Sequence, residues 1–442
     1  MTINHPEVRN ALNKEAWKGL KTLTVSTPFW KKENRVIPVT ERRPTVIAMK
    51  RVAIIGAGQT PYGDFPARGV KELFAEAYTE MLKSVDKGID PGEIKAAYIG
   101  SLSCGSGFQL GQLGALLLGH VGIPRAAAIR VENACASSGF ALYGAALTVA
   151  SGKADVVLAA GVEKMRDVSS GKSRYWLGVS GDTEFERLAG LTFAGIYALI
   201  AARYMHDYGL TREQLAKVPI KNHQNGLFNP KAQLRRKVTL EEVLNGAPVA
   251  RPLNIWDCCP TTDGASAVLL CPAERAREFT DRPVYLLGFG AGSDYLAIQD
   301  RDVVTSFQAV RSAAAQAYQQ AGVNPSDIDF AEVHDCFSIA EVVAYHDLGF
   351  CGEGEGGRLL EEGVTFPGGK LPVNVSGGLK SKGHPIGATG VGQAYEVFKQ
   401  LRGQAEEPAR QVKNAELALS HNVGGSGGTA TVFIYSLSEG RA

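Results

Sequence analysis

A short pattern occurs twice in this chain. Ile89-Asp90-Pro91-Gly92-Glu93-Ile94 is answered by Val323-Asn324-Pro325-Ser326-Asp327-Ile328, and each copy follows an alanine-rich helical stretch and precedes a β-branched run. Two copies so far apart imply a duplicated core, which restricts the fold to two related halves. Short runs of the same kind recur at 52–55, 97–99, 156–160, 284–287, 330–333 and 417–419, alternating with helical stretches. That alternation predicts an α/β architecture. The runs are apolar throughout rather than at every second residue, as expected of strands covered by helices on both faces. Cys135 and His384 each open a Gly/Ala-rich helical stretch leading toward a late strand. A pseudo-twofold axis between the halves would bring them together.

Composition removes several classes of function. The chain has 442 residues, 45% hydrophobic and 21% charged, enough for two or three domain-sized cores. A net charge of only +2 gives no support for nucleic acid or an anionic membrane as partner, so any basic site must be local. Seven cysteines, at 104, 135, 258, 259, 271, 336 and 351, form neither a disulfide framework nor a zinc-ligand spacing. No metal site is expected, and a reducing cytoplasm fits. The most apolar stretch, 188–205, contains Gly190, Thr192, Gly195 and Arg203 and falls short of a membrane span; it reads as a buried or interface helix.

Residues 1–48 differ in character from the rest of the chain and lack the apolar core of a signal peptide. Their segment Ile3-Asn4-His5-Pro6-Glu7-Val8-Arg9-Asn10-Ala11-Leu12-Asn13 resembles the opening strand and turn of crotonase-family enoyl-CoA hydratases, but 48 residues are too few for that core. They are read as an N-terminal extension, non-native or disordered, with a fresh start at Met49. The segment 165–265 changes character to amphipathic helix and basic loop and reads as an insertion carrying a lid or ligand surface.

Four segments offer groups suited to acyl transfer. Cys135, in Glu132-Asn133-Ala134-Cys135-Ala136-Ser137-Ser138-Gly139, heads a small-residue helix, where the helix N-terminus and a nearby histidine are expected to lower its pKa from about 8.5. The bland alternative is a small buried cysteine between helices. His384, between Gly383 and Pro385, is placed to take the thiol proton and then to donate to an oxyanion; alone it reads equally as a turn residue. His334-Asp335-Cys336 follows a strand-like run, so these side chains are expected at the end of a sheet, where open α/β folds bind ligands. Cys336 then suits proton transfer at an α-carbon and His334 an oxyanion contact. His421-Asn422-Val423-Gly424-Gly425 is a glycine loop able to aim N–H groups at an acyl oxygen, or simply a tight turn. The Gly56-Ala57-Gly58 loop is rejected as a nucleotide site because its third glycine is misplaced and Pro61 interrupts the helix start.

With these motifs together, the chain from Met49 onward resembles the thiolase superfamily. Within it the chain is similar to the sterol-carrier-protein-type and archaeal-type acetyl-CoA acetyltransferases, which carry His-Asp-Cys/Ala-Phe and His-Asn-x-Gly. Conventional thiolases have Asn-Glu-Ala-Phe where this chain has His334 to Phe337, and Cys-x-Gly where it has Asn422-Val423-Gly424. The usual acid/base cysteine is therefore absent. The resemblance implies that Cys336 takes over proton transfer, that His334 and His384 form one oxyanion hole, and that the Cys135 and Gly424 amides form the other.

The same resemblance implies a thiolase fold of two duplicated βαβαβαββ halves, at 49–280 and 281–442, in an αβαβα layering, with an inserted loop domain at about 165–265. It assigns that insertion to coenzyme A, as substrate rather than resident cofactor, with Lys231, Arg235, Arg236 and Lys237 available for the phosphates. It implies a homodimer or dimer of dimers acting on acyl-CoA in fatty acid or lipid metabolism, with the helix at 188–205 lining an acyl pocket. The alternatives are a subunit needing a zinc-ribbon/OB-fold partner or serving as a scaffold, and a ketoacyl synthase- or hydroxymethylglutaryl-CoA synthase-type condensation.

Overall fold

A computed structural model describes residues 49–103 and 111–440. The N-terminal extension and Cys104 lie outside the described residues. Eleven strands are described: β1 (Val52–Gln59), β2 (Ala96–Gly100), β3 (Ala127–Val131), β4 (Val157–Glu163), β5 (Pro248–Ala250), β6 (Leu253–Asn254), β7 (Gly264–Pro272), β8 (Val284–Ser293), β9 (Phe330–Glu332), β10 (Leu417–Gly424) and β11 (Thr429–Ser436). β5 and β6 make a small ribbon; the others form one sheet in the order β3-β2-β4-β7-β1-β8-β11-β10-β9.

The duplication is visible in that order. β1 and β8 pair antiparallel at the centre, and outward from them the two halves repeat the same sequence of neighbours. β1-β7-β4-β2-β3 on one side corresponds to β8-β11-β10-β9 on the other, where Val373, bridged parallel to Ala331, stands in the place of a last strand. The repeated motif marks equivalent points: Pro91–Glu93 and Pro325–Asp327 are both 3-10 turns, leading into β2 and β9.

The longer helices are α1 (Val70–Lys83), α2 (Leu113–His120), α3 (Ser137–Ala150), α4 (Ser170–Gly178), α5 (Phe193–Tyr208), α6 (Arg212–Gly226), α7 (Gln308–Ala321), α8 (Ser338–Asp347) and α9 (Thr389–Leu401). α3 and α9 lie between the halves, where Leu142, Ala145 and Val149 pack with Val391, Ala394 and Phe398 against strands of both. α1 and α2 cover the outer face of the first half, and α7 and α8 that of the second. These are the five expected layers. Each fully buried Leu, Val or Phe contributes roughly 1.5–3 kcal/mol, so the central layer is as strongly held as the outer ones.

The halves differ in one connection. β10 and β11 are joined by a tight glycine turn, whereas about a hundred residues run between β4 and β7. These carry α4, α5, α6 and the β5-β6 ribbon. α5 begins at Phe193 rather than Leu188, because Gly190 holds a left-handed φ of +90° and the Thr192 hydroxyl caps the helix at the Gly195 N–H, 3.1 Å. Ile196, Tyr197, Ile200 and Tyr204 form its buried face, packed with Phe307, Ile339 and Val343 of the second half. The insertion thereby lays a helix of the first half over the site end of the second.

Candidate active site

The four segments converge. Cys135 stands in the turn between β3 and α3, His334–Cys336 follow β9, His384 lies in the loop before α9, and Asn422 is near the end of β10. The Cys135 sulfur and one ring nitrogen from each of His334 and His384 lie within 4.8 Å of one another. The two imidazoles meet edge to face, centroids 5.1 Å apart.

Local geometry explains the approach. Ala134 holds a left-handed φ of +50°, which costs a residue with a Cβ about 1–2 kcal/mol. The bend is held by its N–H donating to Glu132 Oε1 (2.7 Å) and by Ser137 Oγ, which accepts from the Asn133 N–H (3.0 Å) and donates to the Ala134 carbonyl (2.6 Å). Behind the turn α3 crosses α9 so closely that a Cβ on Gly390 would stand 2.4 Å from the Gly139 nitrogen. Only glycine permits that crossing, and it fixes the spacing between the segments bearing Cys135 and His384.

Hydrogen bonding distinguishes the two histidines. His384 Nδ1 is 2.7 Å from Thr389 Oγ1, whose own proton goes to the Pro385 carbonyl at 3.0 Å. Nδ1 is therefore the donor, and Nε2 carries the lone pair. His334 is reversed: Asn422 Nδ2 lies 3.0 Å from its Nδ1 and also donates to the Cys135 carbonyl at 3.1 Å. Nδ1 is the acceptor and Nε2 carries the proton. Neither Nε2 meets a hydrogen-bond partner among the described residues. The site thus offers one imidazole as base and one as donor. Burial, with the Lys380 charge second, lowers His384 to about 3; burial, then His384, His421 and Lys380, keep His334 well below the ordinary range. Both rings are neutral near pH 7.

The expected lowering of the Cys135 pKa is corrected. Burial, then Cys259, pushes this thiol up to about 12, and the N–H groups of Gly425 and of Cys135 itself only partly oppose it. Desolvation outweighs amide dipoles here, so the pair rests as neutral thiol and neutral imidazole. Gly424 packs under the nucleophile turn, where a Cβ would stand 2.5 Å from the Asn133 carbonyl, and Gly425 follows it at φ +60°.

Cys336 is 3% exposed and neighbours Cys135. Burial, then Cys135, raises its pKa, while the Tyr197 hydroxyl and Lys380 draw it down. Lys380 is buried and donates to the main-chain carbonyls of Asp257 and, at 3.3 Å, Cys336. Asp335 turns away from the cysteines: it accepts from the Leu379 N–H and from Asn222 Nδ2, each at 2.7 Å, and so anchors the loop behind them.

The basic loop divides. Lys231 is not available to phosphates: its Nζ sits on both carboxylate oxygens of Glu80 (2.6 and 2.5 Å) and on the Gln59 carbonyl, 4.8 Å over the Tyr395 ring. Arg235, Arg236 and Lys237 are exposed, with Arg236 paired to Glu242 and stacked 4.9 Å over Trp256. Gln233 ties this loop to the site through Thr262, whose hydroxyl donates to Gln233 Oε1 (2.6 Å) and accepts from the His384 N–H (2.9 Å). Beside the nucleophile turn a cavity of about 540 Å³ is lined by Leu102, Asn133, Ala134, Trp176, Leu296 and Gly425. Trp176 of α4 lines it, and no residue of α5 does.

Sequence reading did not single out Tyr197, Lys380, Thr389 or Gly425 as site residues. Thr389 and Gly425 stand close along the chain to His384 and Asn422, whereas Tyr197 lies in an apolar helix with nothing local to mark it.

Cys135, His334 and His384 are also donors that a soft divalent metal accepts. A duplicated α/β core with a cysteine, an imidazole base and N–H donors at the end of its sheet defines an enzyme class that passes acyl groups over a thiol. The chain belongs to the thiolase family. Residues 52–246 match the model described as "Thiolase, N-terminal domain" and residues 290–437 the one described as "Thiolase C-terminal domain-like". An acetyl-CoA acetyltransferase of Methanothermobacter thermautotrophicus is 46% identical over 388 residues, covering 88% of this chain and all of the relative. Among solved structures, one described as "Ltp2-ChsH2(DUF35) aldolase" superposes with a TM-score of 0.76 at 26% identity, covering 88% of this chain and 98% of that one. Human mitochondrial 3-ketoacyl-CoA thiolase in complex with CoA superposes at 0.66 and 19% identity, covering 88% and 98%, a likeness of fold. The chain is a thiolase and an acyltransferase; the scaffold and synthase-type alternatives are not favoured.

Proposed function

We propose that this thiolase acts as an acetyl-CoA acetyltransferase through a Cys135 acyl-enzyme, a reading carried by the Cys135 sulfur lying within 4.8 Å of a ring nitrogen of each of His334 and His384. In thiolysis, His384 Nε2 takes the Cys135 proton as the sulfur attacks the 3-oxo carbon of a 3-oxoacyl-CoA. The oxyanion is held by N–H donors. The α–β carbon bond then breaks, and Cys336 S–H protonates the departing carbanion, releasing acetyl-CoA. Coenzyme A next gives its thiol proton to the Cys336 thiolate and attacks the thioester. Cys135 leaves and recovers its proton from His384. Condensation of two acetyl-CoA is the reverse. His334, presenting Nε2–H, donates to a substrate oxygen, and Asn422 fixes that tautomer.

Coenzyme A phosphates are assigned to Arg235, Arg236 and Lys237, with the acyl group in the cavity beside Cys135. The relative's name supports the acetyl substrate, and the CoA complex of the human structure supports coenzyme A as ligand. The neighbour paired with a DUF35 protein supports a partner of zinc-ribbon/OB type. A role in lipid metabolism and a cytoplasmic location are part of this reading; six free cysteines are described, and no described helix is long and apolar enough to cross a membrane. Residues 49–442 form one compact unit, and they are assigned the whole activity.

The test is intact-protein mass spectrometry after incubation with acetyl-CoA. An acetyl adduct with release of coenzyme A is expected for the wild type and none for Cys135→Ala. An adduct persisting in Cys135→Ala, or none with either acetyl-CoA or acetoacetyl-CoA even after the partner is added, would reject the reading.

A further inference from the structure

The two imidazoles and the Cys135 thiol also make a site of a second kind. Both Nδ1 atoms are engaged, that of His384 with Thr389 Oγ1 at 2.7 Å and that of His334 with Asn422 Nδ2 at 3.0 Å. Nε2 is the nitrogen left open on each ring, with no hydrogen-bond partner among the described residues, and the Cys135 sulfur lies within 4.8 Å of a ring nitrogen of both. In a tetrahedral zinc site, with bonds of about 2.3 Å to sulfur and about 2.0–2.1 Å to nitrogen, ligand atoms stand roughly 3.3–3.6 Å apart, so the trio closes on an ion by a movement of about 1 Å. The rings need little of it. Two imidazoles bound through Nε2 to one tetrahedral ion have their centroids about 5 Å apart, and here the separation is 5.1 Å. Cys135, half-buried on its turn, supplies the movement by rotating its side chain, and its exposed side is the way in.

A histidine that binds a metal has its other ring nitrogen held as a donor, which leaves the lone pair for the ion. His384 meets that condition already, since Thr389 Oγ1 accepts its Nδ1 proton and passes its own to the Pro385 carbonyl at 3.0 Å. His334 does not, because Asn422 donates to its Nδ1 and the ring proton sits on Nε2. We propose that Cys135, His334 and His384 form a site for zinc or another thiophilic divalent cation, which shuts the enzyme by taking the place of the acyl group. On binding, the Cys135 S–H bond breaks and its proton passes to solvent as the sulfur–metal bond forms. His334 loses the Nε2 proton and gains one at Nδ1, so that one proton is released per ion. Asn422 then turns its amide so that Oδ1, which has no partner among the described residues, accepts from Nδ1, and it gives up its 3.1 Å bond to the Cys135 carbonyl. The catalytic tautomer of His334 is therefore the one that resists the ion. No ligand spacing along the chain announces this site, because its donors come from three separate segments. The competition with substrate rests on the reading of Cys135 as acyl carrier; the site itself does not.

The test titrates zinc chloride into the full chain in the absence of coenzyme A, followed by calorimetry and by the rate at which added acetyl-CoA then acetylates Cys135. One ion per chain and loss of acetylation, restored in full by EDTA, are expected. Cys135→Ala and His384→Ala should each weaken zinc binding about 100-fold, and Cys336→Ala less than about 3-fold. Asn422→Asp should bind zinc about 10-fold more tightly, because an acceptor at His334 Nδ1 favours the metal-binding tautomer. A variant that damages catalysis thus improves the metal site, which general disruption of the fold would not do. No binding by the wild type, undiminished binding in Cys135→Ala, lost binding in Cys336→Ala, weaker binding in Asn422→Asp, or undiminished acetylation at saturating zinc would each overturn the proposal. X-ray absorption at the zinc edge decides on the unaltered protein should the variants not fold: a first shell of two nitrogens and one sulfur supports the site, and a sulfur-rich shell overturns it. If the wild type is not acetylated even without zinc, yet holds the ion through these three residues, the acyl-enzyme reading fails and the metal site stands.

Discussion

At the residue scale the site depends on which nitrogen of each imidazole carries a proton and on where the cysteine protons rest. The sequence named Cys135 and both histidines but pointed to a readily ionised thiol, because a helix N-terminus and a nearby imidazole are visible in a motif and burial is not. With the thiol pushed up to about 12 and His384 lowered to about 3, the neutral pair persists across the neutral range, and the free thiolate is scarce. Iodoacetamide alkylation of Cys135 should then rise about tenfold per pH unit from pH 6 to 9 without a plateau; a plateau near neutrality would indicate a stable thiolate–imidazolium pair instead. The His334 tautomer has its own test. Asn422→Asp replaces an N–H donor to Nδ1 by a carboxylate that accepts, which moves the proton to Nδ1 and takes it from the substrate side. Turnover should fall about 10²–10³-fold with the far-ultraviolet circular dichroism unchanged. Wild-type turnover in this variant would remove His334 Nε2–H from the mechanism.

At the scale of elements, the strands and helices were legible where apolar runs and alanine-rich stretches alternate, as at β1, β4 and β10. β3 and β11 were not singled out. β3 opens on two alanines and carries Arg130 before its last residue, and β11 merges into the glycine turn after Asn422. Side-chain engagement was legible least. Lys231 stands in a run of basic residues and looks like its neighbours, yet Glu80, from α1 far away in sequence, claims its ammonium. The two kinds of basic residue should therefore separate in assay. Lys231→Ala is expected to lower stability by about 1.5–3 kcal/mol, as for hydrogen bonds to a charged group, in urea melts, with the KM for coenzyme A unchanged. Arg235→Glu with Lys237→Glu should raise that KM several-fold and make it more salt-dependent, with little change in the melt. The opposite pattern would return Lys231 to the phosphates and move the coenzyme elsewhere.

For the whole molecule, the duplication read from two six-residue copies proved to be the organising symmetry: the sheet order repeats outward from β1 and β8, and α3 and α9, heading from Cys135 and His384, cross at that axis. The two outer edges of the sheet are nevertheless unlike. β9 is buried and bridged through Ala331 to Val373, whereas β3, among the described residues, is bonded only to β2 and leaves Ala127, Ala128 and Ile129 exposed. An apolar edge strand with open N–H and C=O groups invites pairing, and a twofold copy of β3 set antiparallel closes it as an isologous contact. We propose on this ground the homodimer that the family resemblance implies, and the edge sets its test. Light scattering on the purified protein should give twice the chain mass of 47.0 kDa, and Ile129→Lys, which places two ammonium groups across the axis, should shift the population toward the single-chain mass without lowering the melting midpoint of the isolated chain. A wild-type mass of one chain would leave the β3 edge to some other cover. A dimer indifferent to Ile129→Lys would move the interface off this strand, since no like-charged pair so close to a twofold axis is neutral in its effect.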